Sequence, residues 1–304
     1  MNKQYVLGVD IGGTNIRMGI VENGGRLADF ERRSCQALLA ENTIPNLIEA
    51  IKSYLAAVEN GDRVAAISIG VPGQVGSDHS YVYSVPKVQG LQNTDLGKAV
   101  SEAVGLPVFV GHDVCFLIYH DIRSMNLDPD RNRTILGFYI GTGFGNALYL
   151  NGAIHDGKHG VSGELGHIPL YGVEDMCSCG AVGCVETRCC GQYLAQLVER
   201  EFPDCHISEI FTRHGDDPRI IKFVKDCALP IATEVTILDP DYILLGGGVI
   251  SMQDFPVRLL EDEVRLRCRH PLPAEDLHFI YASDSQANGV VGGGMTVLDW
   301  LSKQ

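Results

Sequence analysis

Three glycine-rich turns, each directly after a stretch that reads as a β-strand, constrain this chain more than any other feature: Asp10-Ile-Gly-Gly-Thr14, Gly141-Thr-Gly-Phe-Gly145 and Gly246-Gly-Gly248. Such turns present backbone N–H groups to an anion with no Cβ in the way. The chain holds 35 glycines in 304 residues, against roughly 7% in an average protein. At the first turn an acidic strand end, Asp10, and the hydroxyl of Thr14 suit a hydrated Mg²⁺ and a phosphate oxygen. Alone, a Gly-Gly-Thr turn is an ordinary hairpin, and most such hairpins bind nothing. The pattern G-x-x-x-x-G-K-[ST] is absent and no G-x-G-x-x-G opens a helix in a dinucleotide unit, so another phosphate-binding fold is required.

The elements around these turns alternate as a mixed α/β layer does. Strands at 5–10 and 15–21 form a hairpin about Gly12 and Gly13, followed by a helix at 45–58, a strand at 64–70, a helix at 94–104 and a strand at 107–111. Strands at 134–140 and 146–150 flank the second turn, so a hairpin with a glycine-rich tip occurs twice and predicts two related halves. A helix at 219–238, with a kink expected at Pro230, precedes a strand at 242–245 that runs into the third turn. The length and the 45% hydrophobic content exceed what one core usually takes, which predicts two lobes. The boundaries read as 1–118 plus 290–304 for a smaller lobe and 119–289 for a larger one. No low-complexity linker separates them, so the expected relative motion is a hinge.

Charge and cysteine usage exclude several classes. Lys and Arg total 24 against 38 Asp and Glu, and a net charge of −14 repels a nucleic-acid backbone. No apolar run of membrane length exists, and Asp10 interrupts the N-terminus before a secretory signal could develop, which predicts a cytoplasmic protein. Ten cysteines in that setting point away from disulfides, and four of them cluster at Cys177, Cys179, Cys184 and Cys189.

Within residues 167–184 the sequence carries His167, Cys177, Cys179 and Cys184, with Gly180 and Gly183 letting the loop fold back. Any one of these cysteines reads equally well as a small buried apolar residue. One His and three Cys together match a closed tetrahedral structural zinc site, which would brace the loop and not activate water. Elsewhere, His112-Asp113 ends a strand where an apolar helical run begins. An acidic residue there is as readily a helix cap as a functional carboxylate.

The three turns together resemble the sugar kinase and actin-like ATPase superfamily, an α/β, two-lobed, ribonuclease H-like fold with an interdomain cleft. That resemblance implies that ATP lies between the lobes. Gly12, Gly13, Thr14, Thr142 and Gly143 would embrace its phosphates with Asp10 and Mg²⁺, and Gly247 and Gly248 would border the adenosine. From residue 6 to about residue 300 the chain resembles the ROK family (repressor, open reading frame, kinase). Its signature of Glu-x-Gly-His followed by Cys-x-Cys-Gly-x-x-Gly-Cys-x-Glu is matched here at 164–167 and 177–186.

The family resemblance implies an ATP-dependent kinase acting on the 6-hydroxyl of a hexose, with Asp113 as general base and homodimers as the usual assembly. Glu164, His167 and Glu186 would contact sugar hydroxyls, with one ring nitrogen of His167 on zinc, and the backbone at Gly73 would line the pocket. His112 stands where most members have Asn, the residue that contacts hydroxyls near C3 and C4, and Pro86-Lys-Val-Gln-Gly-Leu91 departs from the family there too. D-allose, the C3 epimer of glucose, is therefore the best single substrate. If instead His112 hydrogen-bonds the same hydroxyl as Asn, a glucokinase or an N-acylhexosamine (ManNAc or GlcNAc) kinase follows. Repressors of the family carry an N-terminal winged helix, for which a first turn at residue 10 leaves no room. A catalytically inactive sugar-sensing protein is opposed by the presence of both Asp10 and Asp113, and a redox role for Cys189-Cys190 or the clustered thiols conflicts with zinc occupancy and with the lack of a C-x-x-C unit on a thioredoxin-like pattern.

Overall fold

The structure is a computed structural model that describes residues 4–35, 42–86 and 88–303, so Lys87 of the 86–91 segment lies outside the described residues. The chain divides into two compact units, Met1–Leu127 with Asp156–Ser162 and Ser285–Gln304, and Asp128–His155 with Gly163–Asp284.

The first unit is built on a five-stranded sheet of β1 (Tyr5–Ile11), β2 (Asn15–Glu22), β3 (Arg26–Ser34), β4 (Val64–Val71) and β8 (Val108–His112), in the order β3-β2-β1-β4-β8. β1, β2 and β3 pair antiparallel, whereas β4 and β8 continue the sheet parallel to β1. Strand alternation decides the two faces. Tyr5, Leu7, Val9 and Ile11 of β1 enter one core with Leu47, Ile51 and Tyr54 of helix α1 (Thr43–Ala57) and Leu96 and Val100 of α2 (Leu96–Val104). Val6 enters a second core, with Val290, Val297 and Leu298 of α8 (Asn288–Leu301). Helix α3 (Asp113–Ser124) packs on α8. β5 (Gln74–Val75), β6 (Tyr81–Ser84) and β7 (Thr94–Asp95) form a small separate sheet. The helix expected from residue 94 therefore starts at Leu96, because Thr94 and Asp95 pair with β6 and the Asp95 carboxylate caps the helix by accepting Lys98 N–H at 3.1 Å.

The second unit repeats the plan. β9 (Ile135–Ile140), β10 (Phe144–Leu150), β11 (Ala153–Ile154), β12 (Tyr242–Gly246) and β13 (Phe279–Tyr281) form a sheet ordered β11-β10-β9-β12-β13. It has the same antiparallel hairpin run followed by two parallel strands. The two halves inferred from the repeated hairpin are present as two sheets of equal order and direction. Helices α4 (Gly191–Glu201), α5 (Ile210–His214), α6 (Pro218–Leu238) and α7 (Val257–Arg267) share one core with the sheet through Phe138, Leu194, Phe211, Phe223, Ile231 and Leu260. α6 starts on Pro218 with Asp217 accepting Arg219 N–H at 2.9 Å, and it continues helical through the buried Pro230. Among the described residues no helix is long and apolar enough to cross a membrane.

Candidate active site

In the first unit the parallel strands deliver their carboxyl ends side by side, the edge at which open α/β sheets bind ligands. The register pairs Asp10 with Gly70, Gly70 with Gly111 and Val71 with His112. Asp10 sits on the face covered by α8, so close that a Cβ at Gly289 would lie 2.9 Å from the Asp10 carboxyl carbon. Arg17, on the neighbouring strand, donates Nη1–H to Asp10 Oδ2 at 2.9 Å. Burial and the facing Asp113 carboxylate nevertheless push Asp10 up to about 6 against the pull of Arg17. A buried carboxylate raised further by a neighbouring carboxylate marks an anionic site that a divalent cation would relieve.

Asp113 is the first residue of α3, not its cap; the preceding His112 takes that position without a side-chain capping bond. Oδ1 of Asp113 accepts Val114 N–H at 2.8 Å, and His112 Nε2 lies 3.5 Å from the same oxygen. Gly12 N–H closes the first turn onto the Asn15 carbonyl at 2.8 Å, leaving Gly13 and Thr14 exposed. Gly73 packs against β6, where a Cβ would approach the Ser84 carbonyl to 2.1 Å. Close packing by itself therefore calls for glycine at 73.

One set of contacts at this turn was not singled out from the sequence. Arg32, on β3, donates Nε–H to Asn15 Oδ1 at 2.9 Å and Nη1–H to Gln286 Oε1 at 3.0 Å, and Asn15 Nδ2–H donates to the Thr14 hydroxyl at 2.9 Å. A cation is thereby held beside the Gly-Gly-Thr turn. Its origin is the β2–β3 pairing, which sets Asn15 opposite Ser34 and Arg17 opposite Arg32 and has no local signal in the sequence.

In the second unit the other two glycine turns leave adjacent strand ends. β9 ends at Ile140 and enters Gly141–Gly143, while β12 ends at Gly246, paired with Tyr139. Gly247 has φ of 92°, and a Cβ there would lie 2.6 Å from the Ile140 carbonyl oxygen, so the turn accepts only glycine. Thr142 and Gly248 are exposed.

The ligand atoms of His167, Cys177, Cys179 and Cys184 all lie within 4.8 Å of one another. His167 Nδ1 is 3.6 Å from Cys177 Sγ, and the sulfurs of Cys179 and Cys184 are 3.7 Å apart. Tetrahedral zinc with Zn–S of ~2.3 Å and Zn–N of ~2.0 Å has S–N and S–S edges of ~3.5 Å and ~3.8 Å. The donor set fits. Burial and the neighbouring thiols push Cys184 up to about 12. The second imidazole nitrogen, Nε2, points to Glu164, 3.6 Å from its Oε2. Glu186, in the single turn after Cys184, accepts Phe144 N–H at 2.9 Å. Cys189 is buried outside this donor set.

The sequence profile of the ROK family matches residues 6–299, and the chain belongs to that family. It is 25% identical to a glucokinase of Halalkalibacterium halodurans over 100% of this chain and 96% of that protein. It is 28% identical to an N-acetyl-D-glucosamine kinase of Histophilus somni over 80% of this chain and 83% of the other. The fold matches a ROK family glucokinase from Streptomyces griseus, solved with glucose and AMPPNP, at a TM-score of 0.79 and 23% identity, over 95% of this chain and 98% of that one. It also matches a ROK family transcriptional regulator at 0.76 and 22%, over 98% and 81%. The architecture is the actin-like ATPase fold.

Proposed function

We propose that the protein is an ATP-dependent hexose kinase that transfers the γ-phosphoryl group of MgATP to a sugar 6-hydroxyl. The observation that carries this reading is the facing pair Asp10 and Asp113 at the carboxyl edge of the first sheet, beside a glycine turn flanked by Arg32. Phosphoryl transfer needs little covalent help from protein, so positioning and charge supply most of the catalysis. Asp113 accepts the hydroxyl proton as the sugar oxygen bonds to the γ-phosphorus and the bond to the β-phosphate oxygen breaks, releasing ADP. Asp10 faces the hydrated Mg²⁺. Backbone amides of the turns at 12–14 and 141–143 receive the phosphates, and 247–248 border the adenosine. His167, Cys177, Cys179 and Cys184 would hold a structural zinc that braces their loop. Glu164, His167 and Glu186 then face sugar hydroxyls, and metal on Nδ1 leaves the Nε2 of His167 as an N–H donor.

Specificity is read from His112. Next to the base, an imidazole in place of Asn favours a hexose differing from glucose at C3 or C4, and D-allose is the substrate proposed. Kinship with glucokinases and N-acetylglucosamine kinases supports a gluco-configured alternative. The test is an ATP-coupled screen of allose, glucose, mannose, fructose, N-acetylglucosamine and N-acetylmannosamine, with His112→Asn in parallel. We expect allose to give the highest kcat/KM, and the variant to shift preference towards glucose. A preference unchanged by His112→Asn would remove this residue from specificity. No phosphorylation of any of the six would favour a catalytically inactive sugar-sensing protein.

A further inference from the structure

The metal loop and the second glycine turn are joined by three hydrogen bonds that neither sugar contact nor metal binding requires. Glu186 takes the Phe144 N–H through Oε2 at 2.9 Å. The same stretch of chain then enters α4, whose first amides close on the other end of the turn. Gly191 N–H donates to the Gly141 carbonyl at 2.7 Å and Gln192 N–H to the Thr142 carbonyl at 3.2 Å. Glycine is required at 191, since a Cβ would lie 2.6 Å from the Gly141 oxygen. These bonds leave the turn's remaining donors alone: among the described residues no partner takes the N–H groups of Thr142 and Gly143.

Glu186 is in turn fixed to the metal loop. Cys184 lies two residues before it, and the Cys184 carbonyl accepts both the N–H and the hydroxyl of Thr187 at 3.0 and 2.7 Å. Val185, fully buried, donates its N–H to the Ile168 carbonyl at 3.0 Å, one residue beyond His167. From the metal donors to the phosphate turn the connection is continuous and lies within one compact unit.

We infer that Glu186 is a positioning residue for the nucleotide turn as well as a sugar ligand. The metal loop, through this carboxylate and the first turn of α4, holds residues 141–144 in the form that receives the triphosphate. The inference rests on the kinase reading for what the turn binds, but not for the brace itself. Its consequence is linkage: a sugar hydroxyl on Oε1 restrains the carboxylate whose Oε2 holds the turn, so sugar raises nucleotide affinity and nucleotide raises sugar affinity by the same factor.

The experiment measures Mg-AMPPNP affinity calorimetrically without sugar, sugar affinity without nucleotide, and amide exchange across residues 141–145. Glu186→Ala removes the acceptor of Phe144 N–H and should weaken AMPPNP about tenfold, the size of a lost charge-assisted hydrogen bond, with faster exchange at Phe144. Glu186→Gln keeps an acceptor oxygen and should hold nucleotide affinity near wild type while sugar affinity falls. Gly191→Ala displaces the turn from the other side and should weaken nucleotide while sparing sugar. Chelating the metal from the wild-type protein should speed exchange at Phe144. If Glu186→Ala and Glu186→Gln lose sugar affinity alike, with nucleotide affinity and Phe144 exchange unchanged, the inference is overturned. Wild-type protein that binds no Mg-AMPPNP sinks the kinase reading instead, and exchange at Phe144 still decides whether the brace exists.

Discussion

Glu234 offers a quantitative test of the second unit that is independent of catalysis. It lies on α6, buried against β10, where Asn146 Nδ2–H donates to its Oε2 at 2.8 Å and to the Gly137 carbonyl at 3.1 Å. Burial outweighs that hydrogen bond and pushes the carboxyl from 4.5 up to about 7. In the unfolded chain the group ionises near 4.5, so between pH 4.5 and 7 the native state holds a proton that the unfolded state has released. Stability therefore falls as pH rises through that window, by about 3 kcal/mol in total at 1.36 kcal/mol per pH unit, and is level above it.

Glu234→Gln removes the titration and keeps an oxygen for Asn146 Nδ2. It also supplies an N–H donor beside Asn146, whose Oδ1 is buried without a partner among the described residues. The variant should match wild type within about 1 kcal/mol at pH 5 and exceed it by about 3 kcal/mol at pH 8. The single tryptophan, Trp300, belongs to the other unit. Amide exchange of β10 and α6 across the pH range is therefore the appropriate assay, with far-UV circular dichroism as a check. Equal pH dependence in the two proteins would refute the argument.

The metal site predicts one equivalent of zinc per chain, released with a chelator and measured with a colorimetric indicator. Removal should expose Cys177, Cys179 and Cys184 to thiol reagents and lower the melting temperature of the second unit by several degrees. Unchanged melting on full release would contradict a bracing role. Gly247→Ala places a Cβ against the Ile140 backbone at positive φ and should cost roughly 1–3 kcal/mol, with weaker nucleotide binding; a variant as stable as wild type would show that the turn can relax.

The parts of the fold legible in the sequence were those in which local pattern and tertiary role agree. β1 and β2 are largely apolar runs closed by Gly12 and Gly13, and His167, Cys177, Cys179 and Cys184 lie so near one another in sequence that their convergence needed only two glycines. β3 carries no such signal. As an edge strand it reads Arg-Leu-Ala-Asp-Phe-Glu-Arg-Arg-Ser, mostly exposed, so no apolar face announces it. α8 contradicts its own composition. Gly289, Gly292, Gly293 and Gly294 read as a loop, yet the helix needs them, because a Cβ at Gly292 would lie 1.9 Å from the Phe116 carbonyl and one at Gly294 2.5 Å from Val21. Close packing against β2 and α3 overrides propensity there.

The same distinction divides the site. Asp10, Asp113 and the three turns were legible as motifs, and their mutual effects were not. The raised Asp10 depends on β1, β4 and β8 lying in register, and the bond from Phe144 to Glu186 joins residues 42 apart. Arg32 reaches Gln286 across 254 residues, and nothing local in either segment marks that meeting.

The central claim is tested most directly by comparing wild type with Asp113→Asn in one experiment that follows hexose-dependent ADP release and hexose 6-phosphate formation, with Mg-AMPPNP binding measured alongside. The account predicts hexose 6-phosphate and ADP in equal amounts from wild type. The variant should retain AMPPNP affinity and bound zinc while kcat falls by ~10²- to 10⁴-fold, the usual loss for a general base. Near-normal turnover by Asp113→Asn, or no hexose-dependent ADP release from wild type, would contradict it.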